Sequence, residues 1–370
     1  MGTVPGGNGD GGNGDSPRGV TTSRLTDGRK SWYNTRQMSG KVVTGGKPYQ
    51  SRLAPYEAEI DRLRLDGASI RGIAAEMFAR HGLAVSHNAV ASFLKTHRLG
   101  RRSFLDGIGE TRKRELLRQL RAMWTHDSTS LEGNTLTLGD TMAVLEYGLT
   151  VKGKPLKDHE DVVSHARGVD MVQSLVSRKK ITVEDVFSLH RVVMGEDTRD
   201  IYRPVGAWKR EDNGTYGDEG GRSVYMPYAA ADDTPALMED WIGAFNRLLR
   251  VGAAGQDAAL EAYLFAHVSL VRIHPFFDGN GRMARLLANV PVLAAGHPPI
   301  IVPAEARLDY IRELWNYQRA VGQIIRSNRE LMPHGELLDG LRRLLGEWWR
   351  TTLDLVAEAR RDAAHPHFLV

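Results

Sequence analysis

The chain has 370 residues and no cysteine, which excludes both disulfide bonds and thiolate chemistry. No apolar run approaches the roughly 20 residues that a membrane-spanning helix needs. The N-terminus is rich in glycine and lacks the apolar core of a secretory signal. These absences predict a cytoplasmic protein with no membrane partner.

Charge is unevenly distributed along the chain. Residues 16–121 carry 21 Lys and Arg against 9 Asp and Glu, a net of +12, whereas the remainder carries 28 against 36, a net of −8. A basic front joined to an acidic body suggests an anionic partner for the front. Residues 1–50 form a Gly-rich, basic tail that opens with two copies of Gly-Gly-Asn-Gly-Asp, and we expect it to be mostly disordered.

Residues 51–105 have the pattern of a small helical domain. Apolar spacing predicts helices over Pro55–Leu65 and Ser69–His81, and Ser86 is a candidate N-cap for a third helix that ends at His97. Two short helices joined by a tight turn with a glycine, here Gly82, are typical of a helix-turn-helix. The segment resembles the small DNA-binding domains of transposases and plasmid proteins.

That resemblance implies that the third helix enters the major groove of DNA. The candidate DNA-binding residues are four polar residues of this helix and one arginine near phosphate: His87, Asn88, Ser92, Lys95 and Arg98. DNA would then be a partner of residues 51–102. A helical docking or dimerisation module is the alternative, because basic helices are often simply solvated.

The run His274–Arg285, with the sequence His-Pro-Phe-Phe-Asp-Gly-Asn-Gly-Arg-Met-Ala-Arg, is the richest in chemistry. It lies between two predicted apolar helices, Leu260–Ile273 and Met283–Ala295, with Gly296 as the expected C-cap of the second. A glycine-rich turn that opens a helix can present backbone N–H groups to an anion. The run also supplies a base near neutral pH, an oxygen ligand for Mg²⁺, and two arginines on one helix face that suit phosphates.

Other interpretations of this run fit less well. Asp-Gly and Asn-Gly are also ordinary hairpin turns. An EF-hand fails because Met283 stands where the loop needs glycine, and Asn289 stands where it needs glutamate. A P-loop fails because no Gly-Lys-Ser/Thr follows.

The run resembles the signature of the Fic family, His-x-Phe-x-Asp/Glu-Gly-Asn-Gly-Arg-x-x-Arg, at every fixed position. The resemblance implies an all-α fold with a small β-hairpin flap, and a nucleotidyltransferase that moves AMP from ATP to a hydroxyl of a target protein. It implies that His274 is the catalytic base and that Asp278 holds Mg²⁺. It further implies an ATP-binding set of Gly279, Asn280, Gly281, Arg282 and Arg285, the two arginines on the β- and γ-phosphates, respectively.

A second match lies upstream. The stretch Ser128–Asn134 resembles the autoinhibitory motif of the same family, Ser/Thr-x-x-x-Glu-Gly/Asn, with Ser128, Glu132 and Gly133 at its fixed positions. The resemblance implies an inhibitory helix near 127–134 whose Glu132 pairs with Arg285 and denies it to the γ-phosphate. The alternative is a capping box, with Thr129 as N-cap and Glu132 at the third helical position.

The resemblance covers roughly residues 110–350 and predicts a Fic domain over 106–350, followed by a C-terminal extension over 351–370. The flap strands are expected at Val205–Lys209 and Ser223–Tyr228, with the loop Arg210–Arg222 between them. A target segment would add to such a strand by main-chain pairing.

The sequence therefore predicts an autoinhibited protein adenylyltransferase that uses ATP and Mg²⁺, with a target protein that includes the chain itself as a candidate. A homodimer is left open. The alternatives are a DNA-binding regulator with an accessory Fic domain, an enzyme that removes AMP, and a phosphotransferase. Gly281 favours AMP transfer over phosphate transfer, because phosphotransferring relatives typically have lysine at that position.

Overall fold

The computed structural model describes residues 51–65, 68–97, 103–178, 180–195, 204–251, 255–328 and 330–364. The tail over residues 1–50, the candidate DNA contact Arg98 and residues 365–370 lie outside them. The described residues belong to one unit, Tyr49–Val370.

The fold is almost entirely helical, as the sequence predicts. In chain order the helices are α1 (Glu57–Leu65), α2 (Ile70–His81), α3 (His87–His97), α4 (Glu110–Ser130), α5 (Leu138–Tyr147), α6 (Leu156–Val176), α7 (Val183–Met194), α8 (Thr234–Val251), α9 (Gln256–Ile273), α10 (Asn280–Ala294), α11 (Arg307–Val321) and α12 (Asp339–Ala364). Two strands, β1 (Gly214–Glu219) and β2 (Arg222–Pro227), lie between α7 and α8. No helix in the described part of the chain is long and apolar enough to span a bilayer.

Helices α1 to α3 pack around a small core of their own, centred on Ile60, Ile73, Met77, Val90 and Phe93. Their ends follow the local sequence signals. Ser69 caps α2 by accepting a hydrogen bond from the Gly72 N–H at 3.0 Å, and Ser86 accepts from Ala89 at 3.1 Å at the start of α3. Gly82 ends α2 with a φ of 61°, a conformation that glycine adopts without a Cβ penalty.

Helices α9 and α10 form the centre of the larger helical body. Nearly every residue of α10 is buried, and α10 packs against α9, α6 and α7. Because the α9–α10 connection is short, its residues His274–Gly279 are fixed between two buried helices. This arrangement gives the chemically rich run a rigid support.

Two helix boundaries differ from the prediction. Helix α9 begins at Gln256 rather than Leu260, and α10 begins at Asn280 rather than Met283. Gly279, with a φ of 77°, is the N-cap of α10, so the Gly-Asn-Gly string already belongs to the helix start. At the other end Ala295 is the C-cap, and Gly296 follows it with a φ of 87°.

The prediction for the first flap strand was wrong. Val205–Lys209 has no strand; β1 instead lies at Gly214–Glu219, inside the stretch expected to be a loop, and pairs antiparallel with β2 from Gly214 opposite Pro227 to Glu219 opposite Arg222. Glycine is usually disfavoured in strands, but here a Cβ on Gly217 would collide with the Trp315 ring. The turn is only Gly220-Gly221, both with positive φ, as a two-residue hairpin requires.

Candidate active site

The α9–α10 loop opens onto a cavity of about 540 Å³, hereafter the main cavity. The hairpin, α11, the residues that follow α4 and the start of α10 form its other walls. Its lining combines the imidazole of His274 and the guanidinium of Arg285 with the apolar side chains of Leu308, Ile311 and Trp315. The cavity therefore offers charged groups at one part of its wall and apolar surface at another, which suits a nucleotide.

His274 ends α9 in the left-handed conformation, with a φ of 50° that is uncommon for a residue with a side chain. Its Nδ1 lies 3.2 Å from the carbonyl of Val271, so this nitrogen carries the proton and donates it. The ring stacks on Tyr228 with centroids 3.8 Å apart. Nε2 is consequently the nitrogen that can accept a proton.

Burial, and to a smaller degree the nearby Lys209 ammonium, lower the pKa of His274 to about 4, against smaller opposing effects from the Val271 carbonyl, Glu132 and Asp278. The imidazole is therefore neutral at physiological pH. A neutral imidazole with a defined tautomer has the protonation state that a general base needs.

The start of α10 provides the anion-binding geometry. Helix N-termini leave N–H groups without intrahelical partners and carry the positive end of the helix dipole. The Asn280 side chain is occupied, because its Oδ1 accepts from the Phe276 N–H at 2.9 Å and its Nδ2 donates to the Phe276 carbonyl at 2.8 Å. Asn280 thus closes the loop with its side chain, which leaves its backbone N–H for an anion.

Asp278 lies at the mouth of the main cavity with its side chain 69% exposed. One carboxylate oxygen accepts from the Gly279 N–H at 2.6 Å, and the other lies 4.0 Å from Nη2 of Arg282. Within the described ranges no cluster of three or more His, Asp or Glu could hold a metal alone. A single exposed carboxylate fits Mg²⁺, which commonly binds through one or two carboxylates together with substrate phosphates.

Arg282 and Arg285 share a helix but line different cavities. Arg282 lines a second cavity of about 770 Å³, and Phe277 and Asp278 line both cavities. Nη1 of Arg282 donates to Asp161 at 3.1 Å, and Nη2 of Arg282 donates to the sulfur of Met194 at 3.3 Å. The sequence alone suggests one shared volume for both arginines, whereas the structure separates them across the loop.

Arg285 is buried against the end of α4. Its Nε donates to Ser128 Oγ at 2.9 Å, and its Nη2 donates to the Ser128 carbonyl at 2.8 Å and to Glu132 Oε1 at 2.7 Å. Burial raises the pKa of Glu132, but the Arg285 guanidinium outweighs this and holds that pKa below its usual value. Glu132 is therefore ionised, and the guanidinium is engaged by α4 and the turn after it.

The inhibitory motif does not form a separate helix near 127–134, because residues 128–130 are the last turn of the 21-residue helix α4. The capping-box alternative was wrong, since Thr129 donates its hydroxyl to the carbonyls of Thr125 and His126 at the end of a helix. Glu132 lies in the turn that follows, and Gly133 has a φ of 97°. The side chain of Asn134 donates to the Asp158 carbonyl of α6 at 2.8 Å and so fixes this turn.

Several residues that shape the site are not among the predicted site residues. His190 on α7 accepts from the Gly206 N–H at 2.9 Å and donates through Nε2 to the Asp278 carbonyl at 3.0 Å. Burial lowers its pKa to about 4, so it too is neutral. The Tyr310 hydroxyl lies 2.8 Å from Nε2 of His267 and also contacts the Arg285 guanidinium. Lys209 and Asn213 bind the carbonyls of the α9–α10 loop.

The candidate DNA-binding residues lie on α3 or beyond it. His87, Asn88 and Ser92 are exposed on this helix, while its buried residues face α1 and α2. Lys95 also lies on α3. Three of the five candidate residues, His87, Asn88 and Ser92, are thus exposed on α3.

The Fic/DOC family pattern matches residues 180–292. The protein adenylyltransferase fic-1 of Caenorhabditis briggsae is 32% identical over 60% of this chain, and that of Caenorhabditis elegans is 31% identical over 55%. The chain spans only 41% and 38% of the lengths of these relatives.

Among solved structures, a Fic domain containing signaling protein from Bacteroides thetaiotaomicron superposes with a TM-score of 0.59 at 26% identity, over 70% of this chain and 92% of that one. Fic-1 from C. elegans superposes with a TM-score of 0.53 at 23% identity, over 84% of this chain and 76% of that one, which is a likeness of fold.

Proposed function

We propose that this chain, which carries a Fic/DOC family domain, is a protein adenylyltransferase that transfers AMP from ATP to a Ser, Thr or Tyr hydroxyl of a target protein. One observation carries the proposal: the neutral imidazole of His274 and the N-terminus of α10 open onto the same cavity. The names of the fic-1 relatives support this activity.

In the proposed reaction, the target hydroxyl gives its proton to Nε2 of His274 as its oxygen attacks the α-phosphorus of ATP. The bond from that phosphorus to the bridging oxygen breaks, and pyrophosphate leaves. The N–H groups at the start of α10, over Asn280 and Gly281, stabilise the charge on the α-phosphate. Catalysis is then mostly positioning and charge stabilisation, as expected for transfer of a phosphorus group.

Asp278 is the residue that would hold Mg²⁺, which supplies charge neutralisation to the phosphates when bound. Its exposure at the cavity mouth leaves room for the phosphate and water oxygens that complete the ligand set. Arg282, on the other side of Asp278, is assigned to the β-phosphate. Because Asp161 holds its guanidinium and Arg282 lines the second cavity, that contact requires the side chain to leave Asp161.

We also propose that the protein is autoinhibited. The contacts of Arg285 with Ser128 and Glu132 support this, since they occupy the guanidinium that the γ-phosphate needs. Gly133 permits the turn that brings Glu132 back toward α10, because its φ of 97° is strained for any other residue. ATP would then bind in full only after Glu132 leaves.

The test is an intact-mass measurement of the full chain incubated with ATP and Mg²⁺. We expect Glu132→Gly to gain one AMP unit on itself, and Glu132→Gly combined with His274→Ala to gain none. Arg285→Ala in the Glu132→Gly background should weaken labelling. Labelling that persists without His274 would remove the proposed base, and a gain of one phosphate would shift the assignment to a phosphotransferase.

Removal of AMP from a modified target is the reverse use of the same site. Glu132 supports this alternative, because its carboxylate lies at the cavity wall where it could position a water. Incubation of an AMP-modified protein with the unmodified chain distinguishes the two directions: release of AMP that requires Glu132 identifies the hydrolytic reaction. A homodimer and a cytoplasmic location remain parts of the proposal, the former tested by sedimentation at several concentrations.

DNA binding is the second candidate function. The exposed polar face of α3 over His87, Asn88 and Ser92, next to a buried helix-turn-helix core, favours it. We expect a gel shift with the DNA upstream of the gene that encodes this chain. The shift should weaken as the salt concentration rises, because contacts to phosphate release counterions and salt opposes that release. Asn88→Glu with Ser92→Glu should abolish the shift, while Glu76→Gln, a control at a partly exposed residue of α2, should not. A shift that is insensitive to salt and to the α3 variant would leave α1 to α3 as a docking module.

A further inference from the structure

Lys209 and Asn213 bind four consecutive carbonyls around the candidate base. Lys209 Nζ donates to the Ile273 carbonyl at 3.2 Å, and the Lys209 N–H donates to the Pro275 carbonyl at 2.8 Å. Asn213 Nδ2 donates to the His274 carbonyl at 3.4 Å and to the Phe276 carbonyl at 3.1 Å. The two side chains also bind each other, with Nζ 2.6 Å from Asn213 Oδ1.

This contact set fixes a segment that would otherwise relax. His274 has a φ of 50°, and a left-handed residue with a side chain persists only where its surroundings hold it. Lys209 also donates to the Ala229 carbonyl at 2.6 Å, just after β2. One buried ammonium therefore joins the base of the hairpin to the Ile273 carbonyl, directly before His274.

The charge of Lys209 is unusual for its position. Lys209 is buried, with only 4% of its surface exposed. The three acceptors of its ammonium are all neutral oxygens. Within the described part of the chain it makes no ion pair. Burial lowers its pKa to about 8, with Asp212 opposing, so most of it remains charged at neutral pH. A buried ammonium without a counterion acts strongly on nearby titratable groups, because little solvent screens it.

We propose that Lys209 is a positioning residue for His274 with two separable roles: with Asn213 it holds the backbone of the base, and its buried ammonium places a fixed positive charge near the imidazole. The proposal rests on the proposed function, in which His274 is the base. Neither Lys209 nor Asn213 lines the main cavity, so neither is expected to touch ATP.

Two carboxylates oppose the effect of the Lys209 charge on the pKa of His274. The titratable groups that face His274 from the surrounding elements are Lys209 before β1, Tyr228 after β2, Glu132 after α4 and Asp278 in its own loop. Of these only Lys209 is cationic, while Glu132 and Asp278 raise the pKa of His274. Loss of Lys209 should therefore raise that pKa above about 4, while burial, the larger cause, still holds it below the ordinary value of 6.5.

The experiment titrates the His274 ring by NMR in the full chain and measures labelling kinetics in the Glu132→Gly background. We expect Lys209→Met to raise the pKa of His274 and to lower kcat on the order of 10²-fold, with KM for ATP little changed, since the base moves and the cavity does not. Lys209→Arg keeps the charge and should keep the low pKa. Lys152→Met, at an exposed lysine before α6, is the matched control and should change neither quantity.

Asn213→Ala separates the two roles, because it removes the bonds to the carbonyls of His274 and Phe276 and leaves the buried charge. It should lower kcat without raising the pKa of His274. If Lys209→Met folds, as thermal unfolding would report, and leaves the His274 pKa in place, the charge role is wrong. If Lys209→Met does not fold, Asn213→Ala decides the backbone role, and an unchanged kcat overturns it.

Failure of the proposed function looks different. If the Glu132→Gly parent shows no labelling at all, the adenylyltransferase assignment fails, while the NMR titration still reports whether Lys209 sets the His274 pKa.

Discussion

Removal of the Glu132 carboxylate should raise the affinity of the main cavity for ATP, because it frees a donor of Arg285 for a phosphate. In the structure Nη2 of Arg285 donates hydrogen bonds to Glu132 Oε1 at 2.7 Å and to the Ser128 carbonyl at 2.8 Å. A phosphate oxygen competes with Glu132 for the same donor. The free energy that this contact gives the inhibited state is therefore what ATP must overcome.

The magnitude follows from burial and charge. A hydrogen bond between charged groups contributes about 1.5–3 kcal/mol net when buried. Arg285 has only 4% of its side chain exposed, but Glu132 has 44%, so solvent screening reduces the contribution. We take about 1–2 kcal/mol, which corresponds to roughly a 5- to 30-fold gain in ATP affinity.

The assay is calorimetric titration of ATP with Mg²⁺, with His274→Ala in every protein so that no ATP is consumed. Glu132→Gly should show the full gain, and Glu132→Gln, which keeps the shape and loses the charge, a smaller one. Glu146→Gln is the control. Glu146 pairs with Arg118, with 3.1 Å between the two charged groups, and neither residue lines the main cavity. Equal dissociation constants with and without the Glu132 carboxylate would refute the reasoning.

The same contact has a pH signature. The pKa of Glu132 is lowered in the folded chain, so its stabilising contribution is present above the unfolded value of 4.5 and is lost only as pH falls through the still lower folded value. The unmodified chain should therefore remain inhibited from pH 8 down to about 6. A marked gain in ATP affinity over that interval would contradict the ionised pair.

Three further outcomes are expected in the Glu132→Gly protein. The labelling rate should stay level from neutrality down to about pH 5.5, because the pKa of His274 near 4 keeps the base neutral there. A fall in the labelling rate around pH 6.5 would instead indicate a histidine with an ordinary pKa. Asp278→Ala should raise the Mg²⁺ concentration needed for half-maximal labelling, measured by magnesium titration, and an unchanged titration would place the metal elsewhere. Gly217→Ala should displace the hairpin from Trp315 and cost about 1–3 kcal/mol of unfolding free energy by denaturant titration, and a neutral result would show that the ring can yield.

Local sequence rules accounted for most helix ends. Ser69 and Ser86 cap α2 and α3, and Gly82 ends α2, because these residues satisfy or terminate a helix through contacts within a few positions. Such contacts need no knowledge of the rest of the chain. Gly279, the N-cap of α10, likewise has a left-handed φ that glycine adopts without a Cβ penalty.

The hairpin shows where local rules stop. Gly214 and Gly217 read as loop residues in the sequence, yet both are in β1, because a side chain there would collide with Tyr225 or with Trp315. The pattern of β1 is set by what packs against it from β2 and α11. A residue nearly a hundred positions away thus decides that a glycine is favoured within a strand.

The motif in residues 274–285 was legible by itself, because its residue types at fixed spacing carry both the turn and the charge. The protonation state of His274 and the residues that surround the motif could not be predicted from the sequence. The neutral state of His274 depends on burial and on Lys209, and the separation of Arg282 from Arg285 depends on Asp161 of α6.

The sequence by itself determined the helical class, the position of the chemically active loop and the identity of the Glu132 motif, since each rests on residue types close together in the chain. Only the tertiary structure decided that Glu132 contacts Arg285, that a buried ammonium lies beside the imidazole, and that the two arginines line separate cavities. Those features arise where segments distant in sequence are packed together, and burial and distance there set the charges and the available donors.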